Sequence, residues 1–565
     1  MNSESKIAYF SMEIGLSNDI PTYSGGLGVL AGDTIKSGAD LKLPLIAVTL
    51  LSKKGYFRQD IDNNGRQIEY PVQWEPSKFM TLRPKKVKVQ IEGRDVYIQA
   101  WCYKVKSVTG GEVDVYYLDT DIVENTQEDR DITAVLYGGD DRYRLKQEIV
   151  LGIGGVRILR ALGVHVKKYH MNEGHASLLT LELLLMHKRD VESVWDERWV
   201  WDTDTVRDLC VFTTHTPIEA GHDRFSYDLI KKVLGEFVPL ELLKSLCGQQ
   251  YLNMTLLALN LSKYVNGVAK KHGEVSKVLF PGYEINAITN GVHSFTWTCE
   301  YFKQLYDKYI PSWANEPELF VRAENIPDDE VWNAHLSAKN DLFNYINKST
   351  GLKLSQDVLT IGFARRFTSY KRADLLFSSL DRFSKISEKG MFQIIFAGKA
   401  HPRDTLGKDI IKKVYDLAKI INDNIKVVFL KDYNMAMALK LISGVDVWLN
   451  TPLRPREASG TSGMKAAHNG VINFSILDGW WIEGHIEGIT GWSIGPKPLE
   501  SSLSITNDAV DADDLYHKLE NIIIPMYYQD RTQWIKIMKN SISKIAYYFN
   551  SHRMMRRYVT EAYIR

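Results

Sequence analysis

Residues 444–476, GVDVWLNTPLRPREASGTSGMKAAHNGVINFSI, predict how the second half of the chain folds. The runs at the two ends of this stretch, GVDVWLN and GVINFSI, are short, apolar and rich in β-branched residues, which is typical of buried strands. A segment of roughly helix length separates them, and strands that alternate with helical segments favour a parallel α/β sheet.

The same alternation runs through the rest of the chain. From about Asp357 the runs VLTIGFA, MFQIIFAG and IKVVFL complete a doubly wound sheet. In the first half, a largely parallel sheet is predicted from IAYF, LIAVTLL, VDVYYL, KYHM, CVFTTH and INAIT, with KVKVQI and DVYIQAW as a hairpin on its edge. We therefore predict two Rossmann-like α/β lobes that face each other across a cleft, with the ligand at the carboxyl ends of the strands.

The segment 311–332, PSWANEPELFVRAENIPDDEVW, is proline-rich and acidic, which indicates a connection between the two lobes. We predict a first lobe over residues 1–320 and a second lobe over residues 321–545. Residues 546–565 are predicted to form a C-terminal helix that is able to pack back on the first lobe.

Composition narrows the function classes. The 565 residues include 70 Lys plus Arg and 69 Asp plus Glu, so the net charge is close to zero. A charge this small does not indicate a nucleic-acid or membrane partner. The four cysteines lie far apart, and no segment resembles a signal peptide or is apolar enough to span a membrane. We expect a soluble cytoplasmic protein in which any anion-binding site is a local cluster of cations and backbone amides.

The first candidate cluster is a glycine-rich segment, residues 23–41 (YSGGLGVLAGDTIKSGADL), in which Gly25 and Gly26 precede a helical pattern. Backbone N–H groups at the start of a helix bind phosphate, and Gly26 begins a G-x-G-x-x-A match to the dinucleotide pattern. No strand leads directly into this segment and no strand-ending acid follows at the expected distance, so we exclude NAD. A plain tight turn is an equal alternative to a phosphate loop.

A second cluster follows the run VLTIGFA. Arg365 and Arg366 come where that predicted strand ends, and Lys371 and Arg372 are predicted to open the next helix. Guanidinium groups bind phosphate oxygens in pairs and lysine adds a point charge, so this position at a strand end favours an anion site. The alternative is a solvated basic loop.

The histidines do not show the spacing of a zinc site. YHMNEGH and THTPIEAGH lack the i, i+4 pair of a helical metal site, and no cysteine joins them. His215 follows a predicted strand and is a candidate for hydrogen-bonding a polar substrate. For His170, His175 and His222 we keep the interpretation of a hydrogen-bonded structural histidine, and we predict no metal.

Lys465 lies just behind Gly460, Thr461, Ser462 and Gly463 and in front of the apolar run GVINFSI. A lysine amine becomes nucleophilic when it is desolvated or lies near other cations, because both lower its pKa. An amine beside a phosphate-binding loop is what pyridoxal phosphate requires. An ordinary helix lysine at a solvated edge is the alternative, because a lone lysine after glycines is common.

The segment EASGTSGMKAAHNG, residues 457–470, resembles the pyridoxal-phosphate lysine segment of the glycogen and α-glucan phosphorylases. Further segments similar to that family, in chain order, are GGLGVLAGD, THTPIEA, TNGVH, RRFTSYKR and FLKDYNMAMA. The resemblance implies a GT-B fold and reversible, retaining phosphorolysis of α-1,4-glucan from its non-reducing end, which yields α-glucose 1-phosphate. It also implies that the 5′-phosphate of pyridoxal phosphate lies beside the substrate phosphate and assists proton transfer.

The resemblance assigns the site residues of this chain to three sets. Lys465 would form the Schiff base, and the other cofactor residues would be Thr461, Ser462, Arg365, Tyr433, Asn434 and Trp297. The substrate phosphate would be bound by Gly26, Arg366 and Lys371, and the glucosyl hydroxyls by His215, Asn290, Glu457, Ser459 and Gly460. The catalytic residues would be Lys465, Arg366, Lys371 and His215. A cationic clamp of this kind stabilises an oxocarbenium–phosphate pair without a carboxylate nucleophile.

Some features depart from the family pattern. TSG stands where many members have TGN, and Arg365 replaces a usual lysine. The chain begins close to the glycine segment, so we expect no phosphorylation or nucleotide control. The family is commonly dimeric, which makes a homodimer one alternative. Two other functions stay open: a nucleotide-sugar glucosyltransferase of the glycogen-synthase type, which would not need Lys465, and a non-catalytic glucan-binding protein.

Overall fold

The computed structural model describes residues 5–190, 192, 197–421, 425–497 and 507–564. The chain forms two α/β units, and each unit is assembled from separate stretches of sequence. The first unit comprises Met1–Phe57, Pro71–Ile288 and Met554–Arg565, and the second comprises Arg58–Tyr70 and Thr289–Arg553.

Strands and helices alternate along most of the described residues. The strands are β1 (Lys6–Ser11), β2 (Leu45–Leu50), β3 (Arg58–Ile61), β4 (Gln67–Tyr70), β5 (Thr81–Ile91), β6 (Arg94–Lys106), β7 (Glu112–Asp119), β8 (Val166–Asn172), β9 (Cys210–Thr213), β10 (Arg224–Ser226), β11 (Tyr251–Asn253), β12 (Tyr264–Gly267), β13 (Asn286–Ala287), β14 (Leu359–Ala364), β15 (Phe392–Ala397), β16 (Lys426–Leu430), β17 (Val447–Asn450), β18 (Ile472–Ile476) and β19 (Gly491–Ile494). The α-helices are α1 (Gly26–Asp40), α2 (Gln127–Arg130), α3 (Asp141–Ile149), α4 (Gly155–Ala161), α5 (Leu179–Met186), α6 (Thr203–Leu209), α7 (Tyr227–Val233), α8 (Leu240–Cys247), α9 (Met254–Asn260), α10 (Lys270–Leu279), α11 (Ser294–Trp297), α12 (Glu300–Tyr309), α13 (Asp328–Thr350), α14 (Leu380–Ile386), α15 (Thr405–Ile420), α16 (Met435–Gly444), α17 (Ser462–Ala467), α18 (Trp481–Gly484), α19 (Asp508–Lys518), α20 (Ile524–Gln529), α21 (Arg531–Asn540) and α22 (Ser551–Tyr558).

The large sheet of the first unit has the strand order β13-β12-β9-β8-β1-β2-β7-β6-β5. Its strands run parallel from β13 to β7, and β7, β6 and β5 pair antiparallel, which confirms the predicted hairpin on the edge. Phe10 and Val48 pack into one hydrophobic core, whereas Tyr9 and Ala47 pack into another. Alternate residues of these strands are therefore buried on opposite faces, which explains why the strands read as unbroken apolar runs.

The main sheet of the second unit is parallel throughout, with the order β16-β15-β14-β17-β18-β19. If the six strands are numbered 1 to 6 in chain order, from β14 to β19, their order across the sheet is 3-2-1-4-5-6, which is that of a doubly wound sheet. The predicted fold class, two α/β units built on parallel sheets, is confirmed. The strand order reverses between β14 and β17, and ligands of such sheets bind where the carboxyl ends of those two strands diverge.

The boundaries between the units differ from the predicted ones at 320 and 545. The segment 311–332, predicted as a connection, belongs to the second unit because Trp313 and Phe320 are buried in its core against Tyr306. The hairpin of β3 and β4 also belongs to the second unit, although it lies early in the sequence. At the other end, Tyr558 and Tyr563 of the last segment pack into a core of the first unit.

Among the described residues, six strands were not predicted, namely β3, β4, β10, β11, β12 and β19, and two of these, β12 and β19, belong to the two large sheets. β12 contains Asn266 and Gly267, and β19 begins at Gly491, so neither reads as a continuous apolar run. Both are short and lie next to or at a sheet edge, where pairing needs few residues. Within the described ranges, none of the helices combines the length and the apolar character that crossing a membrane would require.

Candidate functional site

The switch point of the second unit brings three of the predicted site residues together. Arg365 directly follows β14, Lys371 lies six residues further on, and Glu457 lies in the loop after β17. The Nη2 atom of Arg365 lies 2.6 Å from Oε2 of Glu457, and the Nζ atom of Lys371 donates a hydrogen bond to the same oxygen. All three side chains are largely buried. Burial alone would raise the pKa of Glu457, but the charges of Arg365 and Lys371 lower it to about 2.

The guanidinium group of Arg365 is only partly satisfied by this contact. Its Nε and Nη1 atoms are buried and have no hydrogen-bond partner within the described part of the chain. A buried donor without a partner loses its hydration and receives nothing in exchange, which typically costs about 1–3 kcal/mol. An anion placed against the open side of this guanidinium would supply the missing acceptors.

The conformation after β14 differs from the predicted one. Lys371 and Arg372 do not open a helix, because Ser369–Lys371 form a single 3-10 turn and Arg372 takes a left-handed backbone conformation with φ of 46°. The cause is the guanidinium of Arg372, which donates to the backbone oxygens of Thr451 and Pro452. Arg366, predicted to bind the substrate phosphate, is exposed.

Lys465 lies on α17, and its amine is held against an aromatic ring. The Nζ atom is 4.0 Å from the ring centre of Trp297, and both side chains are buried. Asn469 fixes this arrangement, because its Nδ2 atom donates to the backbone oxygens of Trp297 at 2.7 Å and of Lys465 at 3.1 Å. Asn469 lies inside the predicted lysine segment, but sequence reasoning did not assign it a role.

The other predicted cofactor residues lie around the starts of two helices. Thr461 is half-buried and immediately precedes α17, and the hydroxyl oxygen of Ser462 accepts a hydrogen bond from the indole N–H of Trp448 at 3.0 Å. Asn434 caps α16 by accepting from the backbone N–H of Met437 at 3.1 Å. Tyr433 is half-buried beside Asn434.

Besides Glu457, the predicted sugar-binding residues of the second unit are Ser459, Gly460 and Asn290. Ser459 is buried, and Gly460 has a φ of 72°, a conformation that glycine adopts without strain. The backbone oxygen of Asn290 accepts a hydrogen bond from Arg553, whereas its side-chain oxygen Oδ1 is buried without a partner among the described atoms.

Asp478 is a buried acid beside this site that sequence reasoning missed. Its two carboxylate oxygens accept hydrogen bonds from the backbone N–H groups of Glu457 at 2.8 Å and Gly479 at 2.9 Å. Burial, together with the negative charge of Glu457, raises the pKa of Asp478 to about 7. The signal available in the sequence was an acid directly after the strand run INFSIL, at the edge where ligands bind.

In the first unit, His215 lies two residues after the end of β9, as predicted. The Nε2 atom of His215 lies 2.5 Å from Oδ1 of Asn172, and its backbone N–H donates to Glu173 at 2.8 Å. Burial lowers the pKa of His215 to about 3, so its ring is neutral at physiological pH. Gly26, the other predicted residue of this unit, is the first residue of α1, and the carboxylate of Glu13 accepts from the preceding Gly25 N–H at 3.2 Å.

The other three histidines singled out in the sequence, His170, His175 and His222, differ in their surroundings. His170 is fully hydrogen-bonded, to the hydroxyls of Tyr563 at 2.7 Å and Thr213 at 2.8 Å. His222 bonds to Thr255 at 2.8 Å.

His175 lies within 4.8 Å of carboxylate oxygens of Glu148 and Asp223, a grouping that could suit a cation. Nε of Arg144, however, lies 3.7 Å from Glu148 and 3.4 Å from Asp223 and already supplies a positive charge there. The absence of a metal stays a prediction.

Comparison with known proteins adds a family relationship to this geometry. The family model described as carbohydrate phosphorylase matches residues 240–487. A maltodextrin phosphorylase of Thermococcus litoralis is 42% identical, over 99% of this chain and 70% of the relative. A glycogen phosphorylase of Aquifex aeolicus is 37% identical, over 99% of this chain and 86% of the relative. An uncharacterised protein of Methanocaldococcus jannaschii is 32% identical, over 98% of this chain and 99% of that relative.

Proposed function

Since this chain belongs to the carbohydrate phosphorylase family, we propose that it is an α-1,4-glucan phosphorylase acting on maltodextrin or glycogen. The proposed reaction is reversible and starts at the non-reducing end of the glucan. The bond between C1 of the terminal glucosyl unit and the glycosidic oxygen breaks, an oxygen of inorganic phosphate bonds to C1, and the glycosidic oxygen gains a proton. The product is glucose 1-phosphate in the α configuration, so the configuration at C1 is retained.

The observation that carries this proposal is the guanidinium of Arg365, which is buried with two atoms unpartnered among the described residues. Two cations, Arg365 and Lys371, share the single carboxylate of Glu457, so the cluster keeps a net positive charge. Such a cluster at the switch point of a doubly wound sheet supports binding of an anion.

The residues also fit pyridoxal 5′-phosphate, which we propose as the cofactor. The Lys465 amine is held over the indole of Trp297, so the reacting amine would have an aromatic neighbour for the planar ring of the cofactor. The hydroxyl oxygen of Ser462 already accepts from Trp448, which leaves its O–H proton to donate, and Thr461 adds a second hydroxyl. With Arg365, these groups would hold the cofactor phosphate. When bound, the cofactor supplies a phosphate group that can exchange a proton beside the substrate.

The chain's own residues then perform the binding and charge stabilisation. Lys371, with Arg366, is proposed to bind the substrate phosphate and to stabilise the negative charge opposite a positively charged sugar ring. Glu457, Ser459 and Gly460 are proposed to bind the glucosyl hydroxyls. Glu457 is a poor nucleophile because its pKa is lowered to about 2 and its carboxylate already binds two cations. This arrangement supports attack by phosphate rather than by an enzyme carboxylate.

Release of glucose 1-phosphate from maltodextrin tests the proposal, measured with and without inorganic phosphate. We expect phosphate-dependent release by the unaltered protein, loss of at least about a thousandfold in Lys465→Ala, and full activity in Lys413→Ala, a lysine that is 56% exposed. Unaltered activity in Lys465→Ala would overturn the proposal. Glucan elongation from a nucleotide sugar without any phosphate requirement would favour the glucosyltransferase alternative instead.

Compartment, assembly and control are further parts of the proposal. The four cysteines are buried free thiols, which supports a reducing compartment such as the cytoplasm. A homodimer and the lack of phosphorylation or nucleotide control are predictions that size-exclusion chromatography and activity assays with nucleotides will test.

A further inference from the structure

A buried carboxylate joins two arginines behind the Glu457 cluster. Asp511, on the first turn of α19, is fully buried. Its Oδ2 atom lies 2.8 Å from Nη2 of Arg372, and its Oδ1 atom lies 2.7 Å from Nη2 of Arg454. Both arginines are themselves buried, so this triad is shielded from solvent.

Each arginine belongs to one of the two loops that carry the site. Arg372 directly follows Lys371, and Arg454 lies three residues before Glu457. The two loops also bond to each other, because the Thr451 hydroxyl donates to the backbone oxygens of Lys371 at 3.1 Å and Arg372 at 2.9 Å. Asp511 is thus the shared anionic partner of the arginines on both loops.

The energetics of the triad depend on the negative charge of Asp511. Two buried guanidinium groups repel each other, and the carboxylate of Asp511 between them attracts both, while Asp508 pairs with Arg372 alone at 2.6 Å. Without that charge, the left-handed turn at Arg372 loses one of its anchors, and the adjacent Lys371 is freed to shift. A displacement of about 1 Å in a binding group can cost up to roughly a hundredfold in rate.

We propose that Asp511 is a positioning residue for phosphate binding, which acts through Arg372 and Arg454 and rests on the proposed function. It does not touch the substrate. It fixes the loop after β14 relative to the loop after β17, so that Lys371 and Glu457 meet in the geometry that leaves room for an anion.

The test compares Asp511→Asn and Arg454→Lys with a matched control, Asp446→Asn. Asp446 is also a fully buried carboxylate of the second unit and pairs with Lys339 at 2.6 Å. It lies just before β17, at the opposite end of the strand from Glu457. Affinity for inorganic phosphate is measured by titration calorimetry on the cofactor-loaded protein, together with the KM for phosphate, the pyridoxal content and the melting temperature.

We expect Asp511→Asn to weaken phosphate binding roughly tenfold or more and Arg454→Lys roughly threefold, with pyridoxal content retained in both. Asp446→Asn is expected to lower the melting temperature and to leave the phosphate affinity within about twofold of the unaltered protein. If Asp511→Asn does not fold, Arg454→Lys alone decides.

Phosphate affinity within about twofold of the unaltered protein in the folded Asp511 or Arg454 variants would overturn this inference. The same holds if Asp446→Asn weakens phosphate binding as strongly as they do, because the effect would then be one of general stability. If the unaltered protein binds no phosphate, the proposed function fails together with the inference, so the two failures are distinguishable.

Discussion

The Nη2 atom of Arg365 lies 2.6 Å from Oε2 of Glu457, although 92 positions separate the two residues in the sequence. They meet because β14 and β17 are neighbours in the sheet and both loops leave it at the same edge. The contact uses one side of the guanidinium and leaves the other side buried without an acceptor among the described residues. The predictions for Arg365 and Glu457 rest on this half-satisfied guanidinium.

Replacing Arg365 tests its proposed contact with the cofactor phosphate. We expect Arg365→Met to lose the cofactor at least about tenfold more readily, because the variant has no donors, whereas Arg365→Lys keeps a charge and should stay within about threefold. Absorbance of the pyridoxal group after exhaustive dialysis measures the retained cofactor. Equal retention in Arg365→Met and the unaltered protein would mean that this guanidinium serves another purpose.

Replacing Glu457 separates phosphate binding from sugar binding. Glu457→Gln removes the negative charge that neutralises Arg365 and Lys371, so we expect inorganic phosphate to bind a few-fold more tightly. Binding of maltodextrin should weaken by roughly tenfold, because a strong acceptor of sugar hydroxyls is lost. Titration of each ligand separately measures both effects, and weaker phosphate binding would contradict the assigned role of this carboxylate.

The buried acid Asp478 predicts a pH dependence of stability. Its pKa rises from an ordinary value near 4 to about 7 in the folded protein, so the folded state holds a proton that the unfolded state releases. Stability from this group is therefore full below about pH 4 and is lost as the pH rises to about 7, with about 2–3 kcal/mol lost between pH 5 and pH 7.

Asp478→Asn should abolish that dependence. The unaltered protein loses stability between pH 5 and pH 7.5 and the variant does not, so the free energy of unfolding of the variant minus that of the unaltered protein should increase over this range. Urea denaturation at both pH values measures it. Asp129→Asn is the control, because the pKa of Asp129 is lowered by Arg94 despite burial and both states are ionised throughout this range. A constant difference for Asp478→Asn would show that Asp478 is ionised in the folded protein.

Two glycines test how tightly the sugar-binding loop is supported. Gly479 and Gly488 both have positive φ, of 55° and 68°, but a Cβ added to Gly479 would lie 2.3 Å from the backbone oxygen of Ser459, whereas one on Gly488 meets nothing within 4 Å. Both alanine variants carry a backbone strain of about 1–2 kcal/mol. Only Gly479→Ala should also raise the KM for maltodextrin, by roughly tenfold, because it displaces the loop that carries Ser459 and Gly460. A similar KM in the two variants would contradict this account.

Much of the architecture could be predicted because its strands are long apolar runs with helices between them. The lysine segment and the cations after β14 were found because strand ends are where ligands of such sheets bind. The hairpin of β3 and β4 escaped prediction because it is held in the second unit by tertiary contacts, such as the amide of Gln59 donating to Gly398 at 2.8 Å.

The missed residues of the site share one property. Asp478, Asn469 and Asp511 act through hydrogen bonds to backbone groups or to side chains that are distant in sequence, and no local pattern reveals such partners. The prediction that Lys371 and Arg372 open a helix was wrong for the same reason. Its conformation is set by Thr451, Pro452 and Asp511, and not by the propensity of the residues around it.

The central claim, that Lys465 carries pyridoxal phosphate, is tested most directly by peptide mass spectrometry after borohydride reduction of the purified protein. We predict a pyridoxyl adduct on the peptide that contains Lys465, with loss of the visible absorbance band in the reduced protein. A protein that shows no adduct after incubation with pyridoxal phosphate, or that carries it on another lysine, would contradict the account.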